Sequence, residues 1–160
     1  MNQKVLVFEP TKCVGCKICE TWCSVTHYNV NNPAKTCIKI IRDHEKLMDY
    51  GIICHQCVDA PCIKSCKFDA LSKDVKTGAI LVDKDKCTGC RKCIRACPYG
   101  APSMHPEEKL ILICDLCKGV PQCVANCPEQ AIQYLERHKA ERPYRSKIAE
   151  NAGREGNRHD

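Results

Sequence analysis

Short apolar runs alternate with polar, cysteine-containing loops along most of the chain. Three of the runs lead into such a loop: Val5–Phe8, Ile80–Asp83 and Leu110–Ile113. Short runs of this composition, bounded by turn residues, are typical of β-strands. The glycine-containing segment 74–79 predicts a hairpin turn before the second run. After two of the loops, residues 66–71 and 127–132 predict a short helix, so the repeating unit is strand, loop, short helix and turn.

Residues 24–53 interrupt this repeat as an insertion. Asn31–Pro33 predicts a turn, and the β-branched run Thr36–Ile41 predicts a strand. A loop is expected over Asp43–Asp49, followed by a second short strand near Tyr50–Ile53.

The composition changes again at Arg137. Residues 137–160 contain seven Lys or Arg and four Asp or Glu, with few apolar side chains. This composition is typical of a tail outside any core. Two interpretations remain open, a solvated terminus and an arm that becomes ordered on a partner subunit. The tail has too few positive charges and no aromatic ladder to indicate nucleic-acid binding.

Cysteine changes the interpretation of this pattern, because 17 of the 160 residues are cysteines. Without them, roughly a third of the chain is apolar, against about half in an ordinary globular domain. Only eight residues are aromatic. A core of normal size cannot be built from so little apolar surface. Disulfides or bound metal must therefore stabilise the fold.

The redox environment bears on the choice between disulfides and metal. The sequence has no apolar run of about 18 residues, so no membrane span is expected. Met1–Phe8 does not resemble a secretory signal peptide. We therefore expect a cytoplasmic protein, and dense cysteines in a reducing compartment favour metal binding over disulfides.

Sixteen of the cysteines form four groups of four. The first and third groups have the C-x2-C-x2-C-x3-C spacing of bacterial ferredoxins, and the other two lengthen only the second gap. Group one is Cys13, Cys16, Cys19 and Cys23; group two is Cys54, Cys57, Cys62 and Cys66; group three is Cys87, Cys90, Cys93 and Cys97; group four is Cys114, Cys117, Cys123 and Cys127.

This spacing lets three thiolates wrap one [4Fe-4S] cubane, while the fourth cysteine binds a different cluster. The fourth cysteine is expected at the start of a short helix. Gly15 and Gly89 lie between the first two ligands, where the backbone approaches the cluster and a Cβ would clash. Pro98 and Pro128 are expected to end their loops. Zinc sites take cysteines in pairs and do not need this quartet, so zinc is the weaker alternative.

Three further residues near the groups are not expected to bind metal. Cys37 has no C-x2-C neighbour and is interpreted as a small buried side chain, although a redox switch stays open. His27 and His55 are interpreted as polar spacers.

The net charge of the chain depends on its cofactors. The formal value is +6, but an oxidised cubane with its four thiolates carries about −2. Four such sites would bring the total to about −2, which weakens any inference from a basic chain to nucleic acid. Basic residues beside the cysteines are expected to be solvated, and some raise a nearby reduction potential: Lys12, Lys17, Lys64, Lys67, Lys86, Arg91, Lys92, Arg95 and Lys118.

The four quartets, together with segments 53–62 and 96–102, resemble the four-cluster ferredoxin-like electron-transfer subunits. Such subunits accompany molybdenum and tungsten oxidoreductases, formate dehydrogenases, carbon monoxide dehydrogenases and some hydrogenases. The resemblance covers residues 4–136. It implies an α+β fold of two interleaved ferredoxin-like modules within residues 1–136, an inner module over 54–101 and an outer module from groups one and four.

The resemblance also implies how the cysteines combine into four [4Fe-4S] clusters. The outer clusters would be held by Cys13, Cys16, Cys19 and Cys127, and by Cys114, Cys117, Cys123 and Cys23. The inner clusters would be held by Cys54, Cys57, Cys62 and Cys97, and by Cys87, Cys90, Cys93 and Cys66.

These features predict an electron relay without catalytic residues of its own, because the sequence has no dinucleotide, P-loop, metalloprotease or nucleophile-elbow motif. The expected partners are a catalytic subunit and a further redox subunit or ferredoxin, in a hetero-oligomer without nucleic acid or membrane span. The short chain most resembles the small subunit of tungsten aldehyde oxidoreductase complexes. A free-standing polyferredoxin and a hydrogenase or carbon monoxide dehydrogenase subunit are the alternatives.

Overall fold

Four antiparallel strand pairs, linked by short helices, form the chain between residues 3 and 140, the part that the computed structural model describes. The strands are β1 (Lys4–Phe8), β2 (Lys39–Asp43), β3 (Met48–Ile52), β4 (Leu71–Lys73), β5 (Ile80–Val82), β6 (Ser103–Met104), β7 (Ile111–Leu112) and β8 (Ile132–Glu136). The helices are α1 (Ile18–Tyr28), α2 (Pro61–Lys64), α3 (Lys92–Ala96) and α4 (Gln122–Ala125), and residues 137–140 are also helical. The fold is α+β and ferredoxin-like.

The two ends of the described chain are joined by one strand pair. β1 runs antiparallel to β8, with Lys4 opposite Glu136 and Phe8 opposite Ile132. The Arg137 amide extends the ladder by donating to the Gln3 carbonyl at 3.0 Å. Because group one follows β1 and group four precedes β8, this pairing brings the first and last cysteine groups together, and α1 packs against α4.

The middle of the chain forms a second, similar unit. β4 and β5 form the predicted hairpin, whose turn is closed by the Asp74 amide donating to the Ala79 carbonyl at 2.8 Å. Gly78 adopts a φ of +74° in this turn. β6 pairs with β7, and α2 packs against α3. Groups two and three therefore lie side by side.

The inserted hairpin differs from its predicted bounds. The strand expected over Thr36–Ile41 is shifted towards the C-terminus as β2, because the Thr36 hydroxyl donates to the Pro33 and Ile38 carbonyls and holds this segment in a turn. The loop is also shorter than predicted. Its turn is capped by Asp43, whose carboxylate accepts from two following amides at 3.0 Å. Asp49 lies within β3 rather than in the loop.

The predicted position of the short helices was wrong. They lie before the fourth cysteine of each group, around the third, rather than after the fourth. Helix α1 is longer and continues through Cys23 into the insertion. The residues after Cys66 and Cys127 form turns instead. Asp69 and Gln130 there have φ values of +48° and +50°, which stop a right-handed helix from forming.

Two hydrophobic clusters correspond to the two units. One contains Leu6, Ile38, Ile40, Leu116 and Ile132, and the other contains Leu71, Ile80, Ala101, Ile111 and Ile113. Seven of the 25 buried apolar residues in the described part are cysteines, and none is aromatic. The core is therefore small, as the composition indicated. The helices within residues 3–140 are too short or too polar to cross a lipid bilayer.

The predicted tail is only partly covered by the structure. Arg137 is attached to the domain through Gln3, whereas residues 141–160 lie outside the described residues. The division into a domain over 1–136 and a tail over 137–160 stays a prediction.

Replacing Gly15 by alanine should destabilise the fold more than replacing Gly100. Both have positive φ, +67° and +63°, which costs alanine about 1 kcal/mol. A Cβ on Gly15 would also lie 2.5 Å from Nη2 of Arg42 and 2.6 Å from Oδ2 of Asp49, whereas a Cβ on Gly100 meets nothing within 4 Å. We expect Gly15→Ala to cost about 2–4 kcal/mol and Gly100→Ala about 1 kcal/mol. The measurement is the free energy of unfolding in denaturant under anaerobic conditions, and an equal loss in the two variants would contradict the prediction.

Candidate metal centres

Four cavities, each lined by cysteines from more than one sequence group, lie within the fold. Site A is lined by Cys13, Cys16, Cys19 and Cys127; site B by Cys23, Cys114, Cys117 and Cys123, with Cys37 and Cys54 also in its wall; site C by Cys54, Cys57, Cys62 and Cys97; site D by Cys66, Cys87, Cys90 and Cys93. These are the four sets that the resemblance implied. That they ligate clusters stays a prediction.

The sulfurs of these sets are too widely spaced for a single metal ion. A tetrahedral zinc with bonds of about 2.3 Å would hold its four sulfurs about 3.8 Å apart. Within residues 3–140, three potential ligand atoms (a His nitrogen, a Cys sulfur or a carboxylate oxygen) all lie within 4.8 Å of one another only at His27, Asp115 and Cys117. No three sulfurs of any one of the four cysteine sets therefore lie this close together. All 17 cysteines are free thiols. Four thiols dispersed in this way fit a cluster of several iron atoms better than one zinc ion or a disulfide.

The four sites form a row in the order A, B, C, D. Cys19 of site A lies close enough to Cys123 of site B to affect its ionisation. Cys54 lines both site B and site C. Cys62 of site C lies near Cys93 of site D. Each site is therefore a neighbour of the next, and sites A and D are the two ends.

Burial raises the pKa, and so opposes the ionisation, of eight of the 16 predicted ligand thiols. It raises the pKa of Cys19, Cys54 and Cys123 to about 12, and that of Cys93 to about 11. Burial also raises the pKa of the enclosed Cys114 well above its usual value. A thiolate is needed to bind iron, and the positive charge of a bound metal is what deprotonates a buried thiol. Forming these sites and binding metal are therefore coupled.

Cys23 is the exception, because hydrogen-bond donors surround it. The Cys37 thiol hydrogen-bonds to Cys23 and lowers the pKa of Cys23 to about 5, while the pKa of Cys37 rises. The Cys37 amide also donates to the Cys23 sulfur at 3.3 Å. Cys37 is buried, as the sequence indicated, but it contacts a predicted ligand and lines site B. Sequence reasoning missed this contact because 14 residues separate the two cysteines.

His27 also belongs to the surroundings of site B. Its Nε2 lies 3.0 Å from Oδ1 of Asp115, and its Nδ1 lies 2.9 Å from the Cys23 carbonyl oxygen. The Asp115 carboxylate and then Cys23 raise the pKa of His27 to about 11. This histidine is therefore held by an ion pair, which is more than the polar spacer that the sequence indicated.

Gln56 connects sites B and C and was not singled out in the sequence. Its side chain is 1% exposed. Nε2 donates to the Cys114 carbonyl at 2.7 Å, and Oε1 accepts from the Ile80 amide at 2.9 Å. Arg137 donates to the Gln56 carbonyl at 2.6 Å. The only sequence signal is a polar residue between two group-two cysteines, which does not reveal its partners.

The predicted glycines and prolines lie at the sites. Gly15 and Gly89 occupy equivalent turns with φ of +67° and +66°. The Gly15 amide donates to the Cys13 sulfur at 3.4 Å. Gly89, Pro98 and Pro128 line sites D, C and A respectively. Their role in binding a cofactor stays a prediction.

The chain belongs to the family of the 4Fe-4S dicluster domain, whose model matches residues 46–137. This match covers more than half of the 160 residues and includes groups two, three and four. The chain is therefore an iron–sulfur protein of the ferredoxin-like class, in which [4Fe-4S] clusters are the cofactor.

Particular relatives add detail to the family. The chain is 35% identical to YsaA of Escherichia coli (strain K12), over 87% of this chain and 94% of that protein. It is 38% identical to the polyferredoxin-like subunit of aliphatic sulfonate oxidoreductase of Pyrococcus furiosus, over 78% of this chain and 71% of that protein. It is 29% identical to the electron transport protein HydN of Escherichia coli (strain K12), over 86% of this chain and 91% of that protein.

A solved structure shares the fold. A chain of the active-site complex BamBC of benzoyl coenzyme A reductase, in complex with benzoyl-CoA, aligns with a TM-score of 0.51 and 26% identity. The alignment covers 91% of this chain and 89% of that chain. The similarity to electron-transport proteins and polyferredoxin-like subunits confirms an iron–sulfur electron-transfer protein as the class.

Replacing Gln56 by leucine should destabilise the junction of sites B and C. The Cys114 carbonyl and the Ile80 amide would remain buried without their partners, each at about 1–3 kcal/mol. We expect the free energy of unfolding, measured with denaturant under anaerobic conditions, to fall by about 2–5 kcal/mol. Gln133→Leu, on a half-buried β8 side chain, is the control and should change stability by less than about 0.5 kcal/mol. Similar losses in both variants would contradict the role of Gln56.

Replacing Cys37 by alanine should lower the reduction potential of the cluster that Cys23 is predicted to hold. A donor to a cluster sulfur stabilises the reduced form. Loss of one hydrogen bond worth about 1 kcal/mol corresponds to about 40 mV for a one-electron couple. The measurement is a redox titration followed by electron paramagnetic resonance, with Cys37→Ser, which keeps a donor, as the control. An unchanged potential in Cys37→Ala would exclude this effect.

Proposed function

We propose that the chain is a non-catalytic subunit that relays single electrons through four [4Fe-4S] clusters, between a catalytic oxidoreductase subunit and a further redox partner. The observation that supports this most directly is the row of four sites, each of which contains one of the four predicted cysteine sets. The family model supports the cofactor type over residues 46–137. The fourth cluster and the ligands from group one are part of the proposal.

The proposed ligands are the cysteines of sites A to D as defined above. When bound, the clusters supply the one-electron oxidation and reduction, and the protein sets their spacing and potential. The chain does this by keeping every proposed ligand except Cys16 and Cys90 at least partly buried, and by directing donors at selected sulfurs, such as the amides of Gly15 and Cys37. No substrate site of its own belongs to this proposal.

The partner is proposed as a catalytic subunit of a multisubunit oxidoreductase. Relatives are named as a subunit of aliphatic sulfonate oxidoreductase and as part of an active-site complex of benzoyl coenzyme A reductase. By analogy this chain would belong to a hetero-oligomer. Within that class, the sequence resemblance favours a tungsten or molybdenum enzyme, with the tungsten aldehyde oxidoreductase complexes as the first choice. Native purification followed by mass spectrometry identifies the partner, and a free monomer would favour a free-standing polyferredoxin.

A hydrogenase partner is the second candidate. The hydrogenase-2 operon protein HybA of Escherichia coli O157:H7 is 29% identical over 94% of this chain and 57% of that protein. The chain thus spans little more than half of that relative, which makes it weaker support than the sulfonate oxidoreductase subunit.

Replacing Cys127 by serine should damage site A rather than site B. Wild-type holoprotein should contain about 16 iron atoms and absorb broadly near 400 nm. Because Cys127 lines site A with Cys13, Cys16 and Cys19, the variant should lose or alter that cluster. Cys37→Ser removes a cysteine outside the four sets and should keep all the iron. Iron analysis and electron paramagnetic resonance measure both.

Either of two results would contradict the proposal. A colourless wild-type protein would exclude the function as a whole. Damage confined to the cluster of site B would exclude the exchange of fourth cysteines between groups one and four.

A further inference from the structure

The two ends of the row of sites reach the surface through one cysteine each. All 17 cysteines lie in the described residues, and only Cys16 of site A and Cys90 of site D are exposed. The cysteines of sites B and C are buried or half-buried. Electrons that enter or leave the row by the shortest route therefore pass the surfaces around Cys16 and Cys90.

Four basic side chains gather around Cys90. Lys67 and Arg91 each follow a cysteine of site D, and Lys92 lines the site itself. Arg95 lies three residues after Lys92 on helix α3, so the two side chains lie on the same face of that helix. We call these four residues, Lys67, Arg91, Lys92 and Arg95, the site D surface.

The site D surface is not neutralised by the rest of the described chain. None of its four side chains forms an ion pair within residues 3–140. The neighbouring Asp83 is occupied by Lys86 at 3.1 Å. Four positive charges close together without counter-ions repel one another, which is unfavourable for the isolated chain. They also create a positive surface potential that can attract a negatively charged partner.

Comparison with group one shows that cluster binding alone does not need this charge. Groups one and three have the same spacing, so Lys17 is equivalent to Arg91, Ile18 to Lys92, and Thr21 to Arg95. Around Cys16, Lys17 is instead accompanied by apolar side chains, with Val14, Ile18 and Trp22 exposed by 58%, 36% and 40%. If the cations served only to offset the cluster charge, both ends of the row would require them.

We propose that the site D surface docks a small acidic electron-carrier protein, which exchanges electrons with site D. This inference rests on the proposed function. In the exchange, site D is oxidised by one electron and the carrier is reduced by one, or the reverse, and no bond forms or breaks. Complementary charge accelerates the encounter of such partners and makes its rate fall steeply with salt. The surface around Cys16 has fewer positive charges, so it would attract an acidic partner less strongly.

The test uses the reduced holoprotein, mixed in a stopped-flow instrument with an acidic plant-type [2Fe-2S] ferredoxin. We expect the second-order rate constant to fall about tenfold or more between about 0.05 M and 0.5 M salt. At low salt, Arg91→Glu should reduce the rate about five- to tenfold. Lys17→Glu is the matched control, because it makes the same charge change at the equivalent position beside Cys16. It should change the rate less than about twofold.

Three results would overturn the docking surface while leaving the relay intact. These are a rate independent of salt, an equal loss in Lys17→Glu, and a faster reaction with basic cytochrome c than with the acidic ferredoxin. In each case the holoprotein would still be reduced and reoxidised by small-molecule mediators. A colourless chain without clusters would overturn both the relay and the docking surface.

Discussion

The structure depends on cysteine sulfurs that are held apart from one another around four cavities. Such an arrangement has no stabilisation of its own, because buried thiols lose hydration and their ionisation is opposed by burial. The surrounding core is small and contains no buried aromatic residue within the described part. Bonds from sulfur to iron would supply what this core lacks, so the fold and its cofactors are best regarded as one thermodynamic unit.

The fourth cysteines of groups one and four lie across the fold from their own groups, which links the first and last cysteine groups. Site A takes Cys127 from the end of the chain, and site B takes Cys23 from its beginning. The β1–β8 pairing brings these segments together, and Gln56 then links site B to site C through the Cys114 carbonyl. Each connection is short and directional, which suits a protein whose function requires fixed distances between redox centres.

Part of this fold could be predicted from short stretches of the sequence. Strands β1 and β5, the 74–79 turn and the cysteine groups follow from composition and spacing. The helices were displaced because a left-handed residue, Lys17 or Arg91, turns the chain into α1 or α3 before the third cysteine. The spacing of ligands does not reveal that turn. Gln56 and Cys37 could not be predicted, because each acts on a cysteine or carbonyl brought near by tertiary structure.

The closure of the chain by β1 and β8 has a consequence for biosynthesis. All eight cysteines of sites C and D lie within residues 54–97, so these sites can form while the C-terminal part is still being made. In the proposed ligand sets, sites A and B combine residues of groups one and four, so site B must wait for Cys123 and site A for Cys127 to leave the ribosome. Under the proposed ligand sets, the group-one thiols therefore stay without their fourth partner while the inner sites are completed, and the outer sites receive iron and sulfide after the inner ones.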